Sequence, residues 1–301
     1  MIYDLIIIGA GPAGITASVY AARKKINFLV ISKDIGGQAG WSSDVENYPG
    51  YQFITGPHLV SKFEEHLKQY DIQLKENEEA VGLEKKGEII HIKTTKADYE
   101  AKTVIIASGK RVKKLGVPGE EEYKNKGVAY CVTCDGPLFA GKDVAVIGGG
   151  NSALDAAIQL MNIANKVYLI NITDRLTGDP VMQEKIQNSR KVSVFNNTRV
   201  EAITGAKFVT GIQIDTAGNK QALPVQGVFI GIGLMPNSWF VKGVNKNGRG
   251  EIEVNCANET NIPGVFAAGD VTSVPEKQIV IAAGDGAQAA LVAFRYLARL
   301  K

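Results

Sequence analysis

An α/β protein built on two dinucleotide-binding domains is what the sequence predicts, on three observations. A turn of the GxGxxG type, Gly9-Ala10-Gly11-Pro12-Ala13-Gly14, stands between a run of large aliphatics and a helical segment. A second turn, the GxGxxA of Gly148-Gly149-Gly150-Asn151-Ser152-Ala153, stands in the same setting. The chain of 301 residues, 45% of them hydrophobic, is long enough for two cores. One glycine fingerprint alone is weak evidence; two, each with a strand before and a helix after, make two Rossmann-like units. Two such units imply two nucleotides, typically a flavin and a nicotinamide.

The elements follow in order. Tyr3 to Ile8, continuous in aliphatics, reads as a buried parallel strand. After the first glycine turn a helix runs from Ile15 to Lys24, where Arg23, Lys24 and Lys25 suit its C-terminus. The glycines let the backbone approach a pyrophosphate, which then sits on the helix N-terminus. Phe28 to Ser32 is the next strand, and Ser32-Lys33-Asp34 stands where many such units place an acid for a ribose hydroxyl, which leaves that contact unassigned. Ile35-Gly36-Gly37-Gln38 and Glu46-Asn47-Tyr48-Pro49-Gly50 are loop signals. From Gly56-Pro57 a helix shows one apolar face in Leu59, Val60, Phe63, Leu67 and Tyr70, with His58 and His66 as surface residues. Short alternating runs from Ala80 to Lys102 predict a small antiparallel meander, and Thr103 to Ala107 a further buried strand ending in Ser108-Gly109.

Lys110 to Gly119, basic and proline-bearing, reads as a linker. Beyond it, Asp143 to Ile147 is the strand and Ala153 to Leu160 the helix of the second glycine turn. Lys166 to Ile170 is the strand that points at the second ribose, and Asn171-Ile172-Thr173-Asp174 after it holds no arginine pair for a 2′-phosphate. Val192 to Phe195, Thr198 to Ile203, Gly211 to Asp215 and Gln226 to Ile232 read as strands. Gly233 to Asn237 and the glycine-rich Lys242 to Gly250 are a second linker candidate. Val265 to Asp270 is a strand ending in Gly-Asp, a pair able to hold a ribityl or phosphate group, and Ile279 to Leu300 a long helix dense in alanine and glycine.

Between the two linkers lies Cys131-Val132-Thr133-Cys134-Asp135. Two cysteines at this spacing make half a metal site or a redox pair. Zinc fails on ligand count, because the remaining cysteine, Cys256, is isolated and His58, His66 and His91 show no ligand spacing. Thiol–disulfide exchange remains, with one thiol made acidic and the other resolving, and Asp135 an acid–base group beside them. Two buried structural cysteines are the bland alternative; Cys256 itself reads as an ordinary packed or surface thiol.

Composition excludes several classes. A net charge of +3 with no dense basic block gives no support for nucleic-acid or membrane-surface binding. Leu5-Ile6-Ile7-Ile8 is too short for a signal sequence and has no basic run before it, and no apolar stretch reaches transmembrane length. A cytoplasmic location is expected, where such a cysteine pair cycles rather than staples.

With both glycine turns, the CxxC-Asp and the Gly-Asp strand in place, the chain resembles the low-molecular-weight thioredoxin reductases over essentially its whole length. Thr272-Ser273-Val274-Pro275-Glu276-Lys277-Gln278-Ile279 is similar to the flavoprotein of alkyl hydroperoxide reductase. The chain opens on its first strand without that protein's extra thioredoxin-like module, so the bare reductase is expected. The resemblance implies three-layer ββα domains, with a nicotinamide domain (113–242) inserted into a discontinuous FAD domain (1–112 and 243–301). FAD is then expected at Gly9, Gly11, Pro12, Ala13 and Gly14, at Gly37, Gln38 and Asn47, and at Gly109, Gly269, Asp270, Lys277 and Gln278. The nicotinamide nucleotide is expected at Gly148, Gly150, Asn151, Ser152 and Ala153.

By the same resemblance hydride passes from nicotinamide to flavin, and the flavin reduces the Cys131–Cys134 disulfide. Cys134 faces the ring, Cys131 attacks the partner's disulfide, and Asp135 handles the proton. The family rotates one domain against the other, and residues 113–119 and 239–247 are the expected hinge. NADPH-using members carry a His-Arg-Arg run and a further arginine where this chain has Asn171, Ile172, Thr173 and Thr177, with Arg175 out of register. NADH is therefore expected over NADPH, with Asn171 bonding the free ribose hydroxyl. The implied partner is a thioredoxin-like or glutaredoxin-like protein, with a peroxiredoxin served indirectly, and the implied assembly a homodimer. A ferredoxin-fed reductase and a small-molecule dithiol oxidase using oxygen are the alternatives.

Overall fold

The computed structural model describes residues 1–41, 45 and 47–300, and of Trp41, Thr133 and Cys134 the backbone alone. The chain divides into two compact units, residues 1–111 with 235–301 and residues 112–234. In chain order the first unit holds β1 (Ile2–Ala10), α1 (Pro12–Arg23), β2 (Phe28–Ile35), α2 (Gly56–Leu67), β3 (Gln73–Lys75), β4 (Ala80–Lys86), β5 (Ile89–Thr94) and β6 (Asp98–Ile106). β7 (Lys110–Val112) leads out of it.

The second unit holds β8 (Val128–Ala129), α3 (Val132–Asp135), β9 (Asp143–Ile147), α4 (Asn151–Ile163), β10 (Lys166–Ile170) and α5 (Pro180–Gln187), then β11 (Val192–Phe195), β12 (Thr198–Gly205), β13 (Val209–Thr216), β14 (Asn219–Pro224) and β15 (Gly227–Ile230). β16 (Leu234–Pro236) leads back, pairing with β7, and β17 (Val265–Ala267) and α6 (Ile279–Arg299) complete the first unit.

In the first unit β3, β2, β1, β6 and β17 are parallel neighbours. Strand alternation sorts their side chains into two cores. Leu5, Ile7, Phe28, Val30, Ile105 and Phe266 face the helices, with Ala13, Ala17, Ala289 and Ala293 opposite. Ile6, Ile8, Leu29, Ile31, Val104 and Ile106 face Leu83, Ile90 and Ile92 of the meander together with Phe240, Val241 and Ile252. Being buried on both faces is what made these strands unbroken aliphatic runs in the sequence. The expected break at Lys102/Thr103 is absent. β6 is one strand whose first half pairs antiparallel with β5 and whose second half pairs parallel with β17.

The second unit repeats the plan. β11, β10, β9, β15 and β8 form a parallel sheet. Val144, Val146, Val167 and Leu169 pack on Leu154, Ala157 and Leu160 of α4. Ala145, Ile147, Val228 and Ile230 pack on Val200, Ile203, Ile212 and Ile214 of the antiparallel β12–β14. The short β3, β8 and α5, and the solvent-facing β14, carry little apolar pattern and were not anticipated.

The return crossing falls at 234/235, not after residue 242. Residues 242–250 belong to the first unit. The Lys242 amide donates to Leu83 O, Val244 is core, and Gly243 and Gly250 serve tight turns at φ +75° and +77°. The glycines there mark turns rather than a linker.

Candidate functional site

The first glycine turn is fixed by contact with its own sheet. Gly9 has φ +106°, and a Cβ there would lie 2.3 Å from Ala107 O. A Cβ on Gly14 would lie 1.8 Å from Gly9 O, so strand and helix touch backbone to backbone. Gly11 differs. Its nearest neighbour would be Gly36 O at 4.0 Å, so its face is open. Gly11 caps α1 without a side-chain hydrogen bond, and no acid stands in the helix's first turn. Free amides and the positive end of the helix dipole therefore face that opening, a cradle suited to a pyrophosphate. Gly37 is at φ +54°, where an added Cβ would lie 3.6 Å from Gly11 Cα, and around Gly109 (φ +63°) an added Cβ would meet nothing within 4 Å. Within β2, Ser32 is buried: it accepts from the Ala10 amide at 3.0 Å and donates to Asp34 O at 2.6 Å. It bridges the register shift between β1 and β2 and is closed to a ligand.

The other expected flavin residues of this unit interlock. Asn47 Nδ2 donates to Gln278 Oε1 at 3.0 Å, and Gln38 Nε2 to Lys110 O at 3.1 Å. Glu46, next to Asn47, lies outside the described residues. Gly269 (φ +73°) packs against Ala13, where a Cβ would sit 3.0 Å from Ala13 Cβ. The Gly269 amide donates to Asp285 Oδ2 at 3.2 Å, and burial pushes the Asp285 and Asp270 carboxyls up. Lys277 Nζ donates to Thr272 O at 2.6 Å and lies 3.5 Å from Glu251 Oε1. Lys110 Nζ reaches that same oxygen at 2.9 Å, and Asn247 Nδ2 reaches Glu251 Oε2 at 2.7 Å. Burial alone would raise the Glu251 carboxyl; the hydrogen bonds from Asn247 and Lys110 and the two lysine charges carry it down to about 2. Glu251, Asp285 and the role of Lys110 escaped sequence reasoning, since each sits in a stretch whose composition reads as linker or helix.

The second turn has the same build. Gly148 (φ +134°) would place a Cβ 2.5 Å from Gly231 O, whereas Gly150 meets only Thr177 Oγ1, at 3.9 Å. Gly150 caps α4 with no side-chain bond and no acid in the first turn. Both turns thus fit the dinucleotide each is expected to hold. Asn151, Ser152 and Ala153 begin α4. Ala153 is buried and Ser152 exposed, while Asn151 Oδ1 accepts from the Asp179 amide at 2.7 Å.

The Asn171 expectation does not hold. Its side chain is 2% exposed and turned inward. Nδ2 donates to Thr173 O (3.1 Å) and Asn196 Oδ1 (2.9 Å), and Oδ1 accepts from the Thr173 amide (3.4 Å) and hydroxyl (3.0 Å). An amide with both donors and both lone pairs engaged has nothing left for a ribose. It shapes the loop instead, which closes back on the glycine turn through Thr177 N (2.8 Å) and Gly178 N (3.1 Å), both to Gly149 O.

Cys131 is disulfide-bonded and half-buried at the entry to α3, the one turn that carries Cys134 and Asp135. The Cys134 side chain, with its expected place against the flavin, lies outside the described residues. The Asp135 amide donates to Cys131 O at 3.1 Å, and burial pushes the Asp135 carboxyl up. Before it, Tyr130 donates to Glu120 Oε1 at 2.7 Å. Glu120, 2% exposed, also accepts from the Leu115 and Gly116 amides at 3.0 and 2.6 Å. Cys256 is an exposed free thiol, and His58 and His66 are exposed. Among the described residues no group of three or more His, Cys, Asp or Glu is placed to hold a metal ion, and no helix is long and apolar enough to cross a membrane.

Two open glycine cradles in two ββα units, one of them bearing a disulfide, are features that a nucleotide-dependent disulfide oxidoreductase requires. The chain belongs to the pyridine nucleotide-disulphide oxidoreductase family, whose profile matches residues 3–287. That family's chemistry calls for a flavin and a nicotinamide nucleotide. It is 44% identical over 301 residues to a Staphylococcus aureus protein named as the F component of alkyl hydroperoxide reductase, covering 99% of this chain and 59% of that protein. It is equally 44% identical, over 300 residues, to a Bacillus subtilis protein named NADH dehydrogenase, again covering 99% of this chain and 59% of that one. The chain thus spans about three-fifths of the length of these relatives. Among solved structures it is similar to Lactococcus lactis thioredoxin reductase, with a TM-score of 0.85, 35% identity and 99% of both chains covered.

Proposed function

We propose that this chain is an FAD-dependent thioredoxin-disulfide reductase, carrying electrons from NADH to a thioredoxin-like or glutaredoxin-like protein and through such a carrier to a peroxiredoxin. The observation that carries the reading is the disulfide at Cys131 with Asp135 four residues on, in a unit that also builds an open nucleotide cradle. Bound nicotinamide supplies a hydride and bound flavin converts it to the electron pair that opens a disulfide. Opening the Cys131–Cys134 bond consumes two electrons and two protons and yields two thiols, of which that of Cys131 then ionises. The Cys131 thiolate then attacks the partner's disulfide, and Cys134 attacks Cys131 Sγ, re-forming the bond and releasing the partner as a dithiol. Asp135, its carboxyl raised by burial, holds the proton exchanged at the Cys134 sulfur. The enzyme is proposed to be a cytoplasmic homodimer.

NADH is favoured because nothing in the 171–179 loop clamps a 2′-phosphate. Thr173 and Thr177 are turned to backbone partners within the unit, and Arg175 is the loop's one arginine. Each charge-assisted hydrogen bond so forgone is worth about 1.5–3 kcal/mol. The name of the Bacillus subtilis relative points the same way. Anaerobic stopped-flow bleaching of the flavin band, with NADH and NADPH titrated separately, tests the reading. NADH is expected to give the larger specificity constant. Preference for NADPH overturns the nucleotide assignment; no bleaching by either turns the reading to ferredoxin or a small dithiol as electron source.

A further inference from the structure

Glu251 belongs to no motif, and the proposed reaction does not use it. Yet its carboxylate is 3% exposed and one of its oxygens is shared by two ammonium groups, Lys110 at 2.9 Å and Lys277 at 3.5 Å. Lys110 and Glu251 are 141 residues apart in sequence. Burying ions carries a large desolvation cost, and a buried pair rarely repays it in stability over an apolar replacement. A buried carboxylate held between two half-buried ammonium groups therefore points to a use at a neighbouring site. The neighbours are the expected flavin residues. Lys110 accepts Gln38 at its carbonyl, Lys277 precedes the Gln278 that holds Asn47, and Asp270 feels the charges of both lysines.

We propose that Glu251 is a positioning residue that sets the electrostatic potential of the flavin site, holding Lys110 and Lys277 in place and cancelling about one of their two positive charges. This rests on the reading of the first unit as the flavin-binding one. Reduction of an isoalloxazine to its anionic hydroquinone takes up two electrons and one proton, leaving one more negative charge on the ring. Net positive charge nearby therefore favours the reduced form, and Glu251 restrains that preference. Arg249 also approaches Glu251, at 3.9 Å, but its side chain is 85% exposed and solvent screens it.

The test is a dithionite titration of the flavin-loaded protein against a reference dye, where dithionite supplies the electrons and solvent the proton. Glu251→Gln is expected to favour reduced flavin by about tenfold or more, an upward shift of about 30 mV for a two-electron couple. Lys110→Met, which leaves Glu251 paired with Lys277, is expected to shift the opposite way, and the double variant to return near the parent. Flavin absorbance per protein shows whether each variant keeps its cofactor. Variants that hold flavin at the parent stoichiometry with unchanged potentials overturn the proposal and leave the flavin reading standing. A parent chain that takes up no flavin overturns both. Should Glu251→Gln fail to fold, the direction of the Lys110→Met shift decides.

Discussion

Burial raises the Asp135 carboxyl from its ordinary value. On the proposed reaction that direction of shift favours Asp135 as the group that passes a proton to a departing thiolate. Asp135→Asn is expected to slow disulfide exchange with a protein substrate on the order of 10²-fold. The NADH-dependent bleaching of flavin should be unaffected, and the two rates measured separately check it. Glu251 shows the opposite sign. Its folded carboxyl is depressed from 4.5 to about 2, so its stabilising contribution is whole above pH 4.5 and drains away as pH falls toward 2. Chemical denaturation across that window should show a loss of stability in the parent that Glu251→Gln lacks. The sequence could propose Cys131, Cys134 and Asp135 as a redox set because their spacing is local. It was silent on Glu251, whose meaning comes from lysines far off in the chain. At Asn171 it misled, since which way a polar side chain turns at a strand tip is decided by the loop that follows.

Among the elements, the strand–turn–helix units were legible because both faces of a central parallel strand and the glycines beside it are constrained by contacts close in sequence. β6 was legible as apolar but not as continuous, for its two halves answer to different partners. The packing of α1 on α6 was only hinted at by alanine and glycine. A Cβ added at Gly286 would lie 2.0 Å from Ala13 O. The two helices meet there at backbone distance, directly behind the first cradle. Gly286→Ala is expected to destabilise by about 3 kcal/mol, the upper part of the overpacking range, read as a lower urea midpoint. Flavin content should fall with it, because Ala13 belongs to the turn that forms the cradle.

For the whole molecule, an expected outcome attaches to the two crossings. If turnover requires the units to change orientation, as the family resemblance implies, an engineered disulfide between them stops multiple turnover but spares one reductive half-reaction. Stopped-flow against steady-state rates separates the two, and full turnover in the crosslinked protein would sink the idea. The outward crossing was legible as a basic, proline-bearing stretch; the return was not, because turn glycines inside the first unit look like a linker when read without their partners. The strand shared by two pairings has one more consequence, for the chain as it is synthesised. The parallel slot beside Val104–Ile106 is filled by Val265–Ala267, and the alanine face of α1 is covered by residues 279–299. Synthesis proceeds from the N-terminus, so the inserted unit can fold complete on the ribosome while its host still shows an open strand edge and a bare apolar helix face. The half made first is finished last, and its vulnerability to aggregation or chaperone capture ends only when the final helix emerges.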